Sequence, residues 1–141
     1  VQRLREAARR LFDAEVAAWE LRRARKQTGD DKWLAQVLRA GTLSDRVAAL
    51  TLQVQESPPH RLAALDKLVD MAAQKDRRAA QLSLEALQDL FCSVLLPDGR
   101  RLARFEARGP RQLGEALRWA ERDPTGVGKA LVLWHFEDEV R

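Results

Sequence analysis

Residues 123–130, Asp123-Pro124-Thr125-Gly126-Val127-Gly128-Lys129-Ala130, come close to a phosphate-binding loop of the form GxxxxGK[ST]. The match fails at both ends. Asp123 stands where the first glycine would bring backbone N–H groups to a phosphate, and its carboxylate would repel one. Ala130 replaces the hydroxyl that would ligate magnesium. The segment is therefore expected to be a glycine-rich turn. Nucleophilic or zinc chemistry would have to come from His60, Cys92 and His135, which lie far apart with none of the paired spacings that metal sites use. Cys92 is expected as a small buried residue and His60 as a surface residue in a first helical turn. The carboxylates Asp66, Asp70, Glu137, Asp138 and Glu139 are expected on solvated helix faces. No catalytic, cofactor-binding or metal-binding set can be assembled from this inventory, so the chain is expected to be no enzyme.

The basic residues carry more information. Residues 1–29 hold eight Lys and Arg against four Asp and Glu, whereas residues 30–141 hold 17 of each, so the net charge of +4 comes from the first segment. Positive charge held on a neutral body attracts a polyanion, with RNA first among candidates. Two clusters are the candidate RNA-binding residues: Arg22, Arg23, Arg25 and Lys26, and the group Arg100, Arg101, Arg104, Arg108 and Arg111. Phe105 within the second group suggests base stacking beside phosphate contacts. The alternative is that the arginines only solvate the surface.

Helices must position these groups, because apolar residues recur at helical spacing along most of the chain. Leu4, Ala8, Leu11, Phe12 and Trp19 form one stripe, on a helix expected to run to about Lys26 and stop at Thr28 and Gly29. Asp30 or Asp31 is expected to cap a short helix carrying Trp33, Leu34, Val37 and Leu38, closed by Gly41. Ser44 is expected to cap the next, with Val47, Leu50, Thr51 and Val54 on one face. Ser57-Pro58 reads as a cap followed by proline at the first helical position. The stripe Leu62, Leu65, Val69 and Ala72 follows. After a turn at residues 75–78 come Leu82, Ala86, Leu87, Leu90, Phe91 and Val94, ended by Pro97-Asp98-Gly99. Residues 99–110 read as an irregular basic loop. Leu113, Ala116, Leu117 and Ala120 suggest another helix, residues 123–128 a turn, and residues 130–141 a final helix whose apolar residues surround most of the cylinder, as if further structure buried it. Each of Trp19, Trp33, Trp119 and Trp134 lies on an apolar stripe and is expected in a core, with a partner-facing anchor as the alternative.

With 45% hydrophobic and 33% charged residues, 141 residues are enough for a helical core without disulfides. A single cysteine fits a reducing compartment. The apolar stretches fall short of the roughly 20 residues that cross a bilayer, and residues 1–10 are arginine-rich without a signal-peptide centre, so no membrane partner is expected. Beginning at Val1, the sequence is expected to be part of a longer chain. The expected fold class is all-α, a fragment of a helical-repeat α-solenoid of the HEAT-like or armadillo-like kind, because consecutive antiparallel helices joined by short turns across residues 44–96 are the unit of such stacks. Its expected parts are residues 1–29, a basic N-terminal helix, and residues 30–141, the start of the repeat domain.

Three segments say more: KWL at residues 32–34 with VLRAGTLSDRVAAL at 37–50, LLPDGRRL at 95–102, and LVLWHFED at 131–138. In sequence, order and spacing they resemble the CCAAT-binding-factor family of nucleolar complex proteins. The resemblance implies an N-terminal portion of a long helical-repeat protein of the nucleolus. It implies a scaffold in early assembly of the large ribosomal subunit, holding a second nucleolar complex protein and ribosomal RNA precursors, with no cofactor and no small-molecule substrate. The family name also raises a transcriptional cofactor role at CCAAT-box promoters. A pure protein-interaction scaffold is the third expectation.

Overall fold

A computed structural model describes residues 2–26, 28–96, 99, 101–108, 111–112, 114 and 124–141. Among these every regular element is a helix, and there is no strand. In order come α1 (Gln2–Arg25), α2 (Gly29–Ala40), α3 (Leu43–Glu56), a 3-10 turn at Pro58–His60, α4 (Leu62–Ala72), α5 (Arg77–Leu90) with a wider π-type turn at Phe91–Leu95, a 3-10 turn at Phe105–Ala107, and α6 (Pro124–Val140). Two compact units result. One comprises Val1–Leu21 with Gly99–Arg141, the other Arg22–Asp98. The boundary drawn from the sequence between residues 29 and 30 falls in the first turn of α2, whereas the compact units part within α1. All-α architecture is thus as expected. The helix expected at Leu113, Ala116, Leu117 and Ala120 lies outside the described residues.

Local chemistry sets the helix starts. Threonines, not the expected aspartate or serine, occupy the caps of α2 and α3. The Asp31 carboxylate accepts from the Thr28 N–H at 2.9 Å, and that of Asp45 from the Thr42 N–H at 3.2 Å. Thr42 Oγ1 in turn accepts from the Asp45 N–H at 3.2 Å. Each pair is a reciprocal box in which an N3 carboxylate satisfies the cap backbone and also faces the positive helix end. Gly29, expected to end α1, is instead the first residue of α2. Gly41 does close α2, its N–H donating to the Val37 carbonyl at 2.8 Å; a Cβ there would lie 2.5 Å from that oxygen, so glycine is required by close approach. Asp76 caps α5 by accepting from the Arg78 N–H at 3.0 Å.

Two expected elements differ. Ser57-Pro58 begins a 3-10 turn, in which Ser57 Oγ meets His60 Nδ1 at 2.6 Å, and α4 follows only from Leu62. The turn expected at residues 123–128 gives way to helix from Pro124 onward, with proline at the first helical position, where its missing N–H costs nothing. At the end of α5 the Leu96 N–H reaches back five residues to the Phe91 carbonyl at 3.2 Å, and Leu96 turns extended (φ −97°, ψ 110°), the conformation favoured before a proline.

In the unit Arg22–Asp98, α3, α4 and α5 pack on one another and α2 rests on α3. Val47, Leu50 and Val54 of α3, Leu65 and Leu68 of α4, and Leu87 and Leu90 of α5 are buried. The α4 stripe is rotated from expectation: Leu68 is completely enclosed while Val69 is half exposed. Apolar residues occupy both faces of α4, so periodicity alone leaves its orientation open, and buried Ala64 lets the neighbouring helices approach this face. Ser83 is fully buried among these aliphatic side chains, and its hydroxyl has no hydrogen-bond partner among the described residues. Cys92, expected inside, is exposed.

The rotation has a direct test in thermal or urea unfolding. Leu68→Ala should lower stability by about 2–5 kcal/mol through the missing aliphatic packing and the cavity left behind, whereas Val69→Ala should change it by roughly 0.5 kcal/mol or less. The reverse ranking would restore the orientation expected from sequence.

Candidate nucleic-acid interface

The arginine clusters are best understood from the carboxylates facing them. In the unit formed by Val1–Leu21 and Gly99–Arg141, the apolar stripe of α1 supplies Leu4 and Ala8 to a small core with Phe105 and Leu131, against which Leu11 and Trp134 pack. Around it stand Glu137 and Asp138, expected on a solvated face of α6. Neither is there. The Glu137 side chain is only 3% exposed and pairs with Arg108, whose guanidinium lies 4.8 Å from the centre of the Trp134 ring. Asp138 Oδ1 accepts from the Phe105 N–H at 3.1 Å, and its Oδ2 meets Arg5 at 3.1 Å. Arg5 also pairs with Glu106 and lies 5.7 Å above the Phe105 ring. Only Glu139 of the three carboxylates is exposed, 3.9 Å from the Nε2 of buried His135, whose ring meets Phe12 edge to face at 4.9 Å.

These contacts change the second cluster. Phe105 is fully buried, so no base can stack on it. Arg108 is held between a buried carboxylate and an indole. Arg101, Arg104 and Arg111 are exposed. Arg100 lies outside the described residues.

In the other unit, the first cluster is divided in the same way. Arg23 pairs with Asp31 in the first turn of α2 and donates from Nε to Glu56 at the end of α3, at 2.8 Å. The Glu56 hydrogen bond above all, with the charges of Glu56 and Asp31, outweighs desolvation and holds the Arg23 pKa above its usual value. Arg23 thereby fastens the last turn of α1 to α2 and α3. Arg22, Arg25 and Lys26 are exposed. The Asp31 carboxyl sits below its ordinary 3.8, first because it accepts from the Thr28 backbone and then because of Arg23.

Trp33 is the residue that the expectation of a core misplaces most. It is 57% exposed, on a helix with no buried residue. Trp19 and Trp134 are half-buried, and Trp119 lies outside the described residues. Among the described residues no group of three or more His, Cys, Asp or Glu could hold a metal ion, and no helix is long and apolar enough to cross a membrane.

The fold and site define a class: an all-helical chain whose arginines are divided between ion pairs that fasten helices and side chains that face solvent. Similarity to known proteins narrows the class. The chain is 34% identical, over 98% of its length, to Ribosome biogenesis protein NOC1 of Chaetomium thermophilum. It is 27% identical over its whole length to human CCAAT/enhancer-binding protein zeta, and 29% identical over 92% of it to Nucleolar complex protein 1 of Drosophila melanogaster. It belongs to this family of nucleolar complex proteins. It spans 14%, 13% and 11% of the lengths of those three relatives. No family model matches the chain, and no solved structure matches it.

The ion pairs can be tested one by one. Arg108→Ala takes one hydrogen-bonded cation away from the buried Glu137 carboxylate and should cost about 3 kcal/mol or more in unfolding free energy, against roughly 0.5 kcal/mol or less for the exposed Arg104→Ala; equal effects would place Arg108 in solvent. For Asp31 the depressed folded-state pKa gives a stabilisation that is present above the ordinary value of 3.8 and lost as pH falls through the lower folded value. The melting temperature of Asp31→Asn should therefore lie below that of the unaltered chain at neutral pH and converge on it in acid; a constant gap would contradict the linkage.

Proposed function

We propose that this chain is part of a non-enzymatic nucleolar factor for ribosome biogenesis, a scaffold in early assembly of the large subunit. It would hold a second nucleolar complex protein and ribosomal RNA precursors. The observation that carries the reading is the 34% identity, over almost the whole chain, to a protein named for ribosome biogenesis. The Drosophila relative's name adds a nucleolar complex. An α-helical repeat of the solenoid type suits a scaffold, because stacked helix pairs present extended surfaces for several partners. The packing of α3, α4 and α5 supports that proposal.

RNA contact falls to the solvent-facing arginines and lysine. Arg25 and Lys26 in one unit, and Arg101 and Arg104 in the other, are exposed, and none of the described ion pairs involves them. Arg23 and Arg108, by contrast, are committed to carboxylates, and their loss would act through stability. Phosphate binding by such residues is insensitive to sequence and strongly sensitive to salt.

The mammalian relatives are named for CCAAT/enhancer binding, which keeps a DNA-linked role as the second reading. One titration separates the two. Binding of the chain to a transcript of the large-subunit precursor and to a CCAAT-box duplex is measured between about 50 and 200 mM salt, the range over which phosphate contacts weaken most visibly. The RNA should bind more tightly. Replacing Arg25, Lys26, Arg101 and Arg104 with Gln should weaken binding and reduce the slope of log affinity against log salt by about 0.7–0.9 for each phosphate no longer neutralised. An unchanged slope would remove these residues from the interface, and preference for the duplex would favour the DNA reading.

A further inference from the structure

Of the eight serines and threonines in the sequence, only Thr28 and Thr42 have a carboxylate three residues further on, Asp31 and Asp45. The same two threonines are the helix caps described above, so one spacing has two readings. It closes a reciprocal cap, and it is also what an acid-directed protein kinase recognises, a hydroxyl followed at the third position by a carboxylate that meets basic groups of the enzyme. Both threonines are exposed and extended, Thr28 at φ −96°, ψ 171° and Thr42 at φ −63°, ψ 167°. In each cap the threonine itself holds the carboxylate, so an enzyme can read the pair only after the first helical turn has opened.

The two turns differ in what opening costs. The first turn of α2 consists of Gly29, Asp30, Asp31 and Lys32, the next residue is exposed Trp33, and no residue of the helix is buried. Opening it gives up the Asp31 contacts to the Thr28 N–H at 2.9 Å and hydroxyl at 3.2 Å, and the Arg23–Asp31 pair, while Arg23 keeps Glu56. Thr42 is bound more closely. Its hydroxyl lies 2.6 Å from the Asp45 carboxylate and accepts from the Asp45 N–H at 3.2 Å, and its turn carries half-buried Leu43 and runs into buried Val47, Ala49 and Leu50. Local opening is cheap where few apolar contacts are lost.

We propose that Thr28, and not Thr42, is a phosphorylation site for an acid-directed protein kinase, and that its phosphate lowers RNA binding at Arg25 and Lys26. The threonine hydroxyl attacks the γ-phosphorus of ATP; an Oγ1–P bond forms, the bridging P–O bond to ADP breaks, and the hydroxyl proton passes to the kinase's base. The phosphate brings a charge of about −1.5 to −2 at neutral pH to a position two residues from Lys26 and three from Arg25, both exposed. It therefore offsets the charge of those two cations. The second half of the proposal rests on the RNA reading above and adds its regulation.

The test treats the 141-residue chain with such a kinase and radiolabelled ATP, and fragment mass spectrometry locates the phosphate. Binding to a fluorescein-labelled single-stranded RNA is then measured by anisotropy. Label should enter Thr28 roughly tenfold or more faster than Thr42, following the difference in local opening. Asp31→Asn should slow labelling of Thr28, although it loosens the same turn, because the carboxylate being read is gone. The phosphorylated chain should bind RNA more weakly, with the slope of log affinity against log salt lower by about 1.4, two single-strand contacts at about 0.7 each. No label at Thr28, equal labelling of the two threonines, or faster labelling of Asp31→Asn would overturn the site. Phosphorylation at Thr28 with RNA affinity unchanged would overturn the switch and leave the RNA reading standing. Absence of RNA binding by the unmodified chain would overturn the switch and that reading together.

Discussion

The unit built from the start of α1 and residues 99–141 depends on two adjacent carboxylates. Glu137 and Asp138 sit beside the apolar core formed by Leu4, Ala8, Phe105 and Leu131. Asp138 accepts from the backbone of Phe105 and meets Arg5, so one carboxylate joins α6, the loop and α1. Glu137 ties α6 to Arg108 of the loop, and the guanidiniums of Arg5 and Arg108 each cover the face of an aromatic ring. A buried carboxylate is costly without a partner, and an arginine held by two kinds of contact loses little entropy on satisfying it. The ion pairs therefore fix which loop conformation can bury Phe105.

In the unit Arg22–Asp98 the corresponding fastening is Arg23, which joins the end of α1 to the beginning of α2 and the end of α3. Aliphatic packing among α3, α4 and α5 supplies most of the burial there. The functional consequence in both units is a division of labour among basic residues. Arg5, Arg23 and Arg108 are consumed by folding, whereas Arg25, Lys26, Arg101 and Arg104 project where a polyanion could reach them. Charge counting treats these groups alike; only their carboxylate neighbours tell them apart.

Much of the local structure was legible because it depends on spacing. The α1 stripe, the end of α2 at Gly41 and the buried face of α3 emerge as expected, and the three family segments point to the relatives that the chain resembles. Misplacements occur where two local signals compete. Thr28 and Thr42 each stand three residues before an aspartate, the spacing of a reciprocal cap, yet Asp30, Asp31 and Ser44 offer nearer alternatives. Leu68 and Val69 are adjacent on a helix apolar on both faces, and only the neighbouring helices decide between them. Of the α6 carboxylates, Glu139 is solvated as expected, but Glu137 and Asp138 are misplaced because acidic residues are ordinarily solvated; the apolar residues surrounding that helix are the available warning that some of its charges have to be buried and paired. For Trp33 the helical stripe is real, but the helix is too peripheral for the stripe to be enclosed.

The central claim, that these residues serve ribosome assembly through RNA and protein contact, is tested most directly in the full-length parent protein. Its tagged form would be purified from its native cells after ultraviolet crosslinking, with the bound nucleic acid sequenced and the co-purifying proteins identified. The account predicts large-subunit ribosomal RNA precursors together with a second nucleolar complex protein. Recovery of promoter DNA and transcription factors, with no ribosomal RNA precursor, would contradict it.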